Sequence, residues 1–130
     1  MGVTLATQDD VERIVDMVEA LVTSINGPVP VDRKWTREQT MLLIANPNAT
    51  IFVSDTGFIA GILSPTIISP QPVAQEVGWY SSDKSGVRLL RAFEAWGKSK
   101  NSTLVKISTD GRDMTRLGYS RAEVAWVKVI

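Results

Sequence analysis

The chain of 130 residues contains no cysteine and no histidine. The first absence excludes disulfides, thiolate nucleophiles and thiolate metal ligands. The second removes the imidazole base and the commonest metal ligand. No metal site is expected, and any chemistry falls to carboxylates, hydroxyls, backbone dipoles or a borrowed cofactor. Neither sign of charge is in excess: 14 basic residues face 14 acidic ones. A general nucleic-acid binder would carry a basic surplus, so that class is set aside. No apolar run approaches the roughly 20 residues of a membrane span. The opening MGVTLATQDD lacks the basic-then-apolar pattern of a secretory signal. A cytoplasmic location and no membrane partner are the expectation.

What is present suits one ordered domain over residues 1–130, with 44% hydrophobic and 22% charged residues. A short strand is expected at 3–6. Thr7 and Asp10 form a capping pair, and Val11, Ile14, Val15, Val18, Leu21, Val22 and Ile25 follow at helical spacing. Asn26-Gly27-Pro28 stops that helix. The stretch GPVPVDRK reads as loop, with Thr36 and Gln39 capping a second, shorter helix that ends at Asn46-Pro47. Strands at 50–54 and 58–63 flank Asp55-Thr56-Gly57, a hairpin connection. Pro65, Pro70 and Pro72 interrupt pairing before a strand at 73–80. A helix over 86–100 shows Leu89, Leu90, Phe93, Trp96 and Gly97 on one face. A strand at 103–108, a helical turn at 112–117 and a closing strand at 121–130 complete the order β-α-α-β-β-β-α-β-α-β. The class is mixed α/β, or α+β, in layers.

The stretch EVGWYSSDKSGVRLLRAFEAW, residues 76–96, runs an apolar strand through a tight turn into an amphipathic helix. The start of a helix presents unpaired N–H groups and a partial positive charge, which favour a phosphate. AQEVGWY, then GVRLLRAFEAW, then RLGY before a terminal strand, together resemble the GNAT superfamily of acetyl-CoA-dependent N-acetyltransferases over essentially the whole chain. Short phage-encoded GNAT-like proteins are the nearest flavour. The resemblance implies a twisted mixed sheet with helices on both faces. Its fourth and fifth strands would be parallel neighbours that splay apart in a V.

It also implies a site. Acetyl-CoA is the expected co-substrate, its pantetheine arm lying along the backbone of Val77, Gly78, Trp79 and Tyr80. Its pyrophosphate would meet Ser81, Ser82, Lys84, Ser85 and the helix start at Gly86, Val87 and Arg88. Ser81 and Lys84 stand where the family's loop has Gln/Arg and Gly, and Lys84 and Arg88 would pair directly with phosphate oxygens. Glu76 is placed like a general base, and backbone N–H groups near a bulge at Gly78 would polarise the thioester oxygen. The family's acid Tyr falls on Met114, and Tyr119 matches its packing aromatic. Trp79, Tyr80 and Trp35 could each line an acceptor cleft or simply pack.

Two functions remain open at this point. One is an N-acetyltransferase passing the acetyl group directly to a small-molecule or protein amine. The other is a catalytically degenerate GNAT-shaped module that binds a protein partner, as a phage host-factor inhibitor in the host cytoplasm or a virion-associated part would. A homodimer through the apolar edge of 124–130 is a further expectation of the resemblance.

Overall fold

The computed structural model describes residues 2–130. Five strands form one sheet in sequence order: β1 (Thr4–Leu5), β2 (Ala49–Val53), β3 (Gly57–Ser64), β4 (Val73–Ser81) and β5 (Val105–Lys106). β1 to β4 pair antiparallel, and β5 joins β4 in parallel. The expected parallel pairing of the fourth and fifth strands is therefore present. α1 (Val11–Ser24) and α2 (Arg33–Ala45) lie between β1 and β2, and α3 (Gly86–Ser99) connects β4 to β5. No helix among the described residues is long and apolar enough to cross a membrane.

The sheet separates two hydrophobic layers, as strand alternation requires. Phe58 and Ala60 of β3 pack with Ile14, Met17, Ile51 and Val53 on the α1/α2 side. Ile59, one residue out of phase, packs with Ala74, Leu89, Leu90 and Phe93 on the α3 side. The apolar stripe read from α3 is the buried one, with Phe93 stacked on Trp96 at 5.7 Å. Two glycines let α3 press against the strands. A Cβ on Gly97 would lie 2.9 Å from that of Ala74, and one on Gly61 would lie 2.2 Å from the Phe93 ring.

Several elements differ from the sequence reading by more than a residue or two. α2 begins at Arg33, because Asp32 rather than Thr36 is its cap; the Trp35 N–H donates to the Asp32 carboxylate at 3.0 Å. A carboxylate free to reach the third N–H of a helix overrides a weaker cap further on. The strand expected at 103–108 contracts to Val105–Lys106, since β4 meets it only at Ala74 and Gln75. The closing strand at 121–130 does not form. Residues 119–130 have no regular secondary structure, and Trp126, Val127 and Ile130 are exposed. A strand needs a ladder, and the outer edge of β5 presents only two residues of backbone, too few to pair residues 121–130. The helix before it is likewise reduced to one 3₁₀ turn, Thr115–Leu117, closed by Gly118 at φ 92°.

Gly61 and Gly86 make a paired test of this packing. Gly61→Ala drives a methyl into Phe93 and should cost about 1–3 kcal/mol. Gly86→Ala meets nothing closer than 3.5 Å and should leave stability within about 0.5 kcal/mol of the parent. Urea unfolding of both variants reads the difference, and equal midpoints would contradict the α3 docking described above.

Candidate functional site

The parallel ladder between β4 and β5 stops at Gln75 and Lys106. Beyond it, β4 continues through Glu76 to Ser81, while the chain after β5 leaves the sheet. The other edge of β4 stays paired with β3 as far as Gly57↔Ser81. A wedge thus opens on one side of β4, at the place expected for the V.

A β-bulge sits at the mouth of the wedge. Gly61 pairs with Glu76 and Ala60 with Gly78, so Val77 is the extra residue. The bulge anticipated at Gly78 is one residue earlier. Its consequence is directional. Gly61 faces Phe93, and Glu76, its partner, shares that face. Gly78 faces Phe58 on the opposite side, where a Cβ would approach within 3.2 Å. Without the extra residue, positions 76 and 78 would point the same way; with it, they serve opposite faces of the sheet.

Glu76 is buried, 8% exposed, and the Ser108 N–H donates to its Oε1 at 2.9 Å. That bond spans the wedge just where the backbone ladder ends. Burial raises the carboxyl's pKa above its ordinary 4.5, and the Ser108 bond opposes the rise. On the other face, Val77 and Gly78 border a cavity of about 300 Å³ between the sheet, α1 and α2. Trp35 stands in its wall, largely exposed. Glu76 is not among the lining residues. Of the two readings open for Trp79 and Tyr80, cleft lining or packing, their partly buried side chains show packing. Trp79 packs towards α3, its indole N–H donating to the Gly86 carbonyl at 3.2 Å, and Tyr80 packs in the α1 layer.

The turn between β4 and α3 is a net of hydroxyls around one carboxylate. Asp83, a residue the sequence reading passed over, accepts from the Ser85 N–H at 2.7 Å and the Ser81 hydroxyl at 3.0 Å. The Ser85 N–H, and after it the Thr56 hydroxyl, hold the Asp83 carboxyl far below the usual carboxylate range. The Ser85 hydroxyl points inward, 3.1 Å from both Ser54 and Ser81 Oγ. The Ser82 N–H and hydroxyl both reach the Thr56 carbonyl, tying the turn to the β2–β3 hairpin. The first α-helical bond runs from Leu89 N–H to Ser85 carbonyl, so the N–H groups of Gly86, Val87 and Arg88 precede it. Lys84 and Arg88 are exposed beside them. A carboxylate at the start of α3 was the available signal for Asp83, since anions favour that place.

The C-terminal pair divides as expected for packing. Met114 is half-buried in the α3 layer. The Tyr119 hydroxyl donates to Glu94 at 2.6 Å, and burial, then that carboxylate, hold its proton well beyond the ordinary phenol range. Tyr119 is therefore fixed as a structural donor.

No family model matches the chain, and no curated protein matches it. Solved structures do. A transcriptional regulator from Bacillus halodurans C-125 superposes with a TM-score of 0.80 at 15% identity, over 98% of each chain. AAC(6')-Iy, in complex with the bisubstrate analogue CoA-S-monomethyl-acetylneamine, gives 0.77 at 14% identity, over 98% of this chain and 96% of that one. A GNAT family acetyltransferase from Staphylococcus aureus gives 0.71 at 14% identity, with both chains covered completely.

The Glu76 carboxyl provides a test of the wedge independent of any activity. Its folded-state pKa is raised, so the folded chain binds more protons than the unfolded one between 4.5 and that raised value. The stability it contributes is full below 4.5 and is lost as pH rises through the folded pKa. Urea midpoints of the parent should therefore fall, relative to Glu76→Gln, as the solution is taken from acid to neutrality. A constant difference across that range would show the carboxyl to be solvated. In its fold this chain is similar to AAC(6')-Iy and to the GNAT family acetyltransferase from Staphylococcus aureus.

Proposed function

We propose that the chain is an acetyl-CoA-dependent N-acetyltransferase, transferring the acetyl group directly to a primary amine. The observation that carries this reading is the edge of β4 beyond Glu76, which no strand pairs as far as Ser81 and which leads through one short turn into the N-terminus of α3. An extended arm with amide groups can add to such an edge as a strand would. An anionic end then meets the helix N–H groups of Gly86, Val87 and Arg88, with Lys84 and Arg88 alongside. A CoA conjugate bound to AAC(6')-Iy, a chain of similar fold, supports CoA as that ligand.

In this reading Val77, Gly78, Trp79 and Tyr80 offer backbone to the pantetheine arm. Ser81, Ser82 and Ser85 shape the turn that receives the pyrophosphate. The bulge at Val77 frees backbone N–H for the thioester oxygen, which becomes an oxyanion as the amine adds. Glu76, on the opposite face of the sheet from the cavity at Val77 and Gly78, takes the amine's proton through water, and its raised pKa makes it a stronger base than a solvated carboxylate. The amine nitrogen forms the new bond to the acetyl carbon, and the C–S bond breaks to release CoA thiolate. Neither Met114 nor Tyr119 can protonate that thiolate, so its proton comes from solvent or from the proton just released. Holding both reactants in line then supplies much of the rate.

Asp83 is the distinctive element. Its carboxylate occupies the Ser85 N–H and puts a negative charge beside the incoming phosphates. Calorimetric titration with acetyl-CoA should show one site whose affinity weakens with salt. Asp83→Asn keeps the acceptor oxygen, removes the charge and should tighten binding by about threefold to tenfold. Glu76→Gln retains the Ser108 acceptor. It should leave CoA affinity unchanged while lowering thiol release in a mixture of primary amines by about 100-fold or more. Absence of any heat at millimolar acetyl-CoA, with the fold intact, would overturn the enzyme reading in favour of the catalytically degenerate module.

A further inference from the structure

The cavity bordered by the bulge has a chemistry that acyl transfer by itself does not require. Ile14, Val18 and Leu21 of α1 form one wall, and Phe58 and Ala60 form the floor. None of the side chains lining it is ionisable. Thr36, Gln39, Thr40 and the Trp35 indole N–H supply the polar side-chain atoms of its lining among the described residues, and the Thr40 hydroxyl already donates to the Thr36 carbonyl at 2.7 Å. α1 does carry carboxylates, but they pair with α2 outside the cavity. Arg33 binds Asp16 at 2.8 Å and also Glu19, and Arg37 holds Glu12 through Nη2 at 3.1 Å. These ion pairs set three carboxylates against two guanidinium groups, and the one net negative charge that remains lies outside the cavity lining.

We infer that this cavity takes a primary amine with one cationic head and an apolar body about the size of one ring, and that it rejects polycationic amines. The inference rests on the acetyltransferase reading for the amine's fate, whereas the selectivity itself belongs to the cavity alone. A volume of about 300 Å³ sits at the small end for ligand pockets, which run from about 300 to 1,000 Å³. It suits one ring and leaves no room for a multi-ring aminoglycoside inside. The apolar walls reward burial of the body in proportion to its area. Each further ammonium group would enter a wall without a carboxylate, where desolvating a charge goes uncompensated. The head is best placed at the rim. There the Val77–Gly78 edge opens onto β4, and Trp35 offers an indole face to a cation.

The test is calorimetric titration of the full chain, without acetyl-CoA, with phenethylamine, spermidine and an aminoglycoside in turn. Phenethylamine should bind at one site, with spermidine and the aminoglycoside at least about tenfold weaker. Trp35 is 61% exposed, so Trp35→Ala should fold normally. It should weaken phenethylamine by about fivefold or more through loss of ring contact and cation–π attraction. Polycations binding as tightly as phenethylamine would overturn the inference. So would phenethylamine failing to bind, or binding unaltered in Trp35→Ala. A chain that binds phenethylamine in this pattern but ignores acetyl-CoA would keep the cavity assignment and sink the acetyltransferase reading, so the two failures are distinguishable.

Discussion

The site depends on how briefly β4 and β5 stay together. Their ladder lasts for Ala74 and Gln75 only, and everything of chemical interest lies beyond the point where it ends. A longer ladder would satisfy the edge of β4 and leave nowhere for an extended ligand. A shorter one would detach β5 and the segment that brings Ser108 to Glu76. The Glu76–Ser108 bond continues the pairing by one side-chain link after the backbone has parted. A buried carboxylate is an expensive link, and the raised proton affinity is the trace of that cost.

The bulge at Val77 divides labour between the two faces of the sheet. Glu76 is delivered to the α3 face and Gly78 to the α1/α2 face, so consecutive parts of one strand border both the wedge and the cavity. α2 is held over that cavity by Arg33 and Arg37 through ion pairs with α1, while Met41 and Leu42 on its outer side are exposed. Exposed pairs of this kind orient more than they stabilise. The apolar contacts of Leu43 and Ile44 with the inner layer carry the docking itself.

The fold was legible where patterns were long. The α1 and α3 stripes and the β2–β3 hairpin followed from periodicity and order, and the parallel place of β5 from the resemblance. It was illegible where an element's existence depended on a distant partner. Residues 121–130 have strand composition, yet the two-residue edge of β5 is too short a ladder for them, and Asp32 took the cap of α2 from Thr36 through one side-chain bond. The candidate site was proposed as a neighbourhood. The start of α3 was named from local chemistry and the strand before it from the resemblance. The sequence did not reveal the face that Glu76 serves, because one inserted residue reverses it. Nor did it reveal that Asp83 takes the Ser85 N–H, and it left Trp79 and Tyr80 open between cleft and packing.

The central claim is that the open edge of β4 and the start of α3 form one continuous binding surface. Backbone amide chemical shifts, followed by NMR as acetyl-CoA is added, test it most directly. The account predicts the largest changes in a single run through residues 76–88, with Ser108 responding across the wedge and the outer side of α2 silent. Saturable shifts gathered elsewhere, with residues 76–81 unchanged, would contradict it.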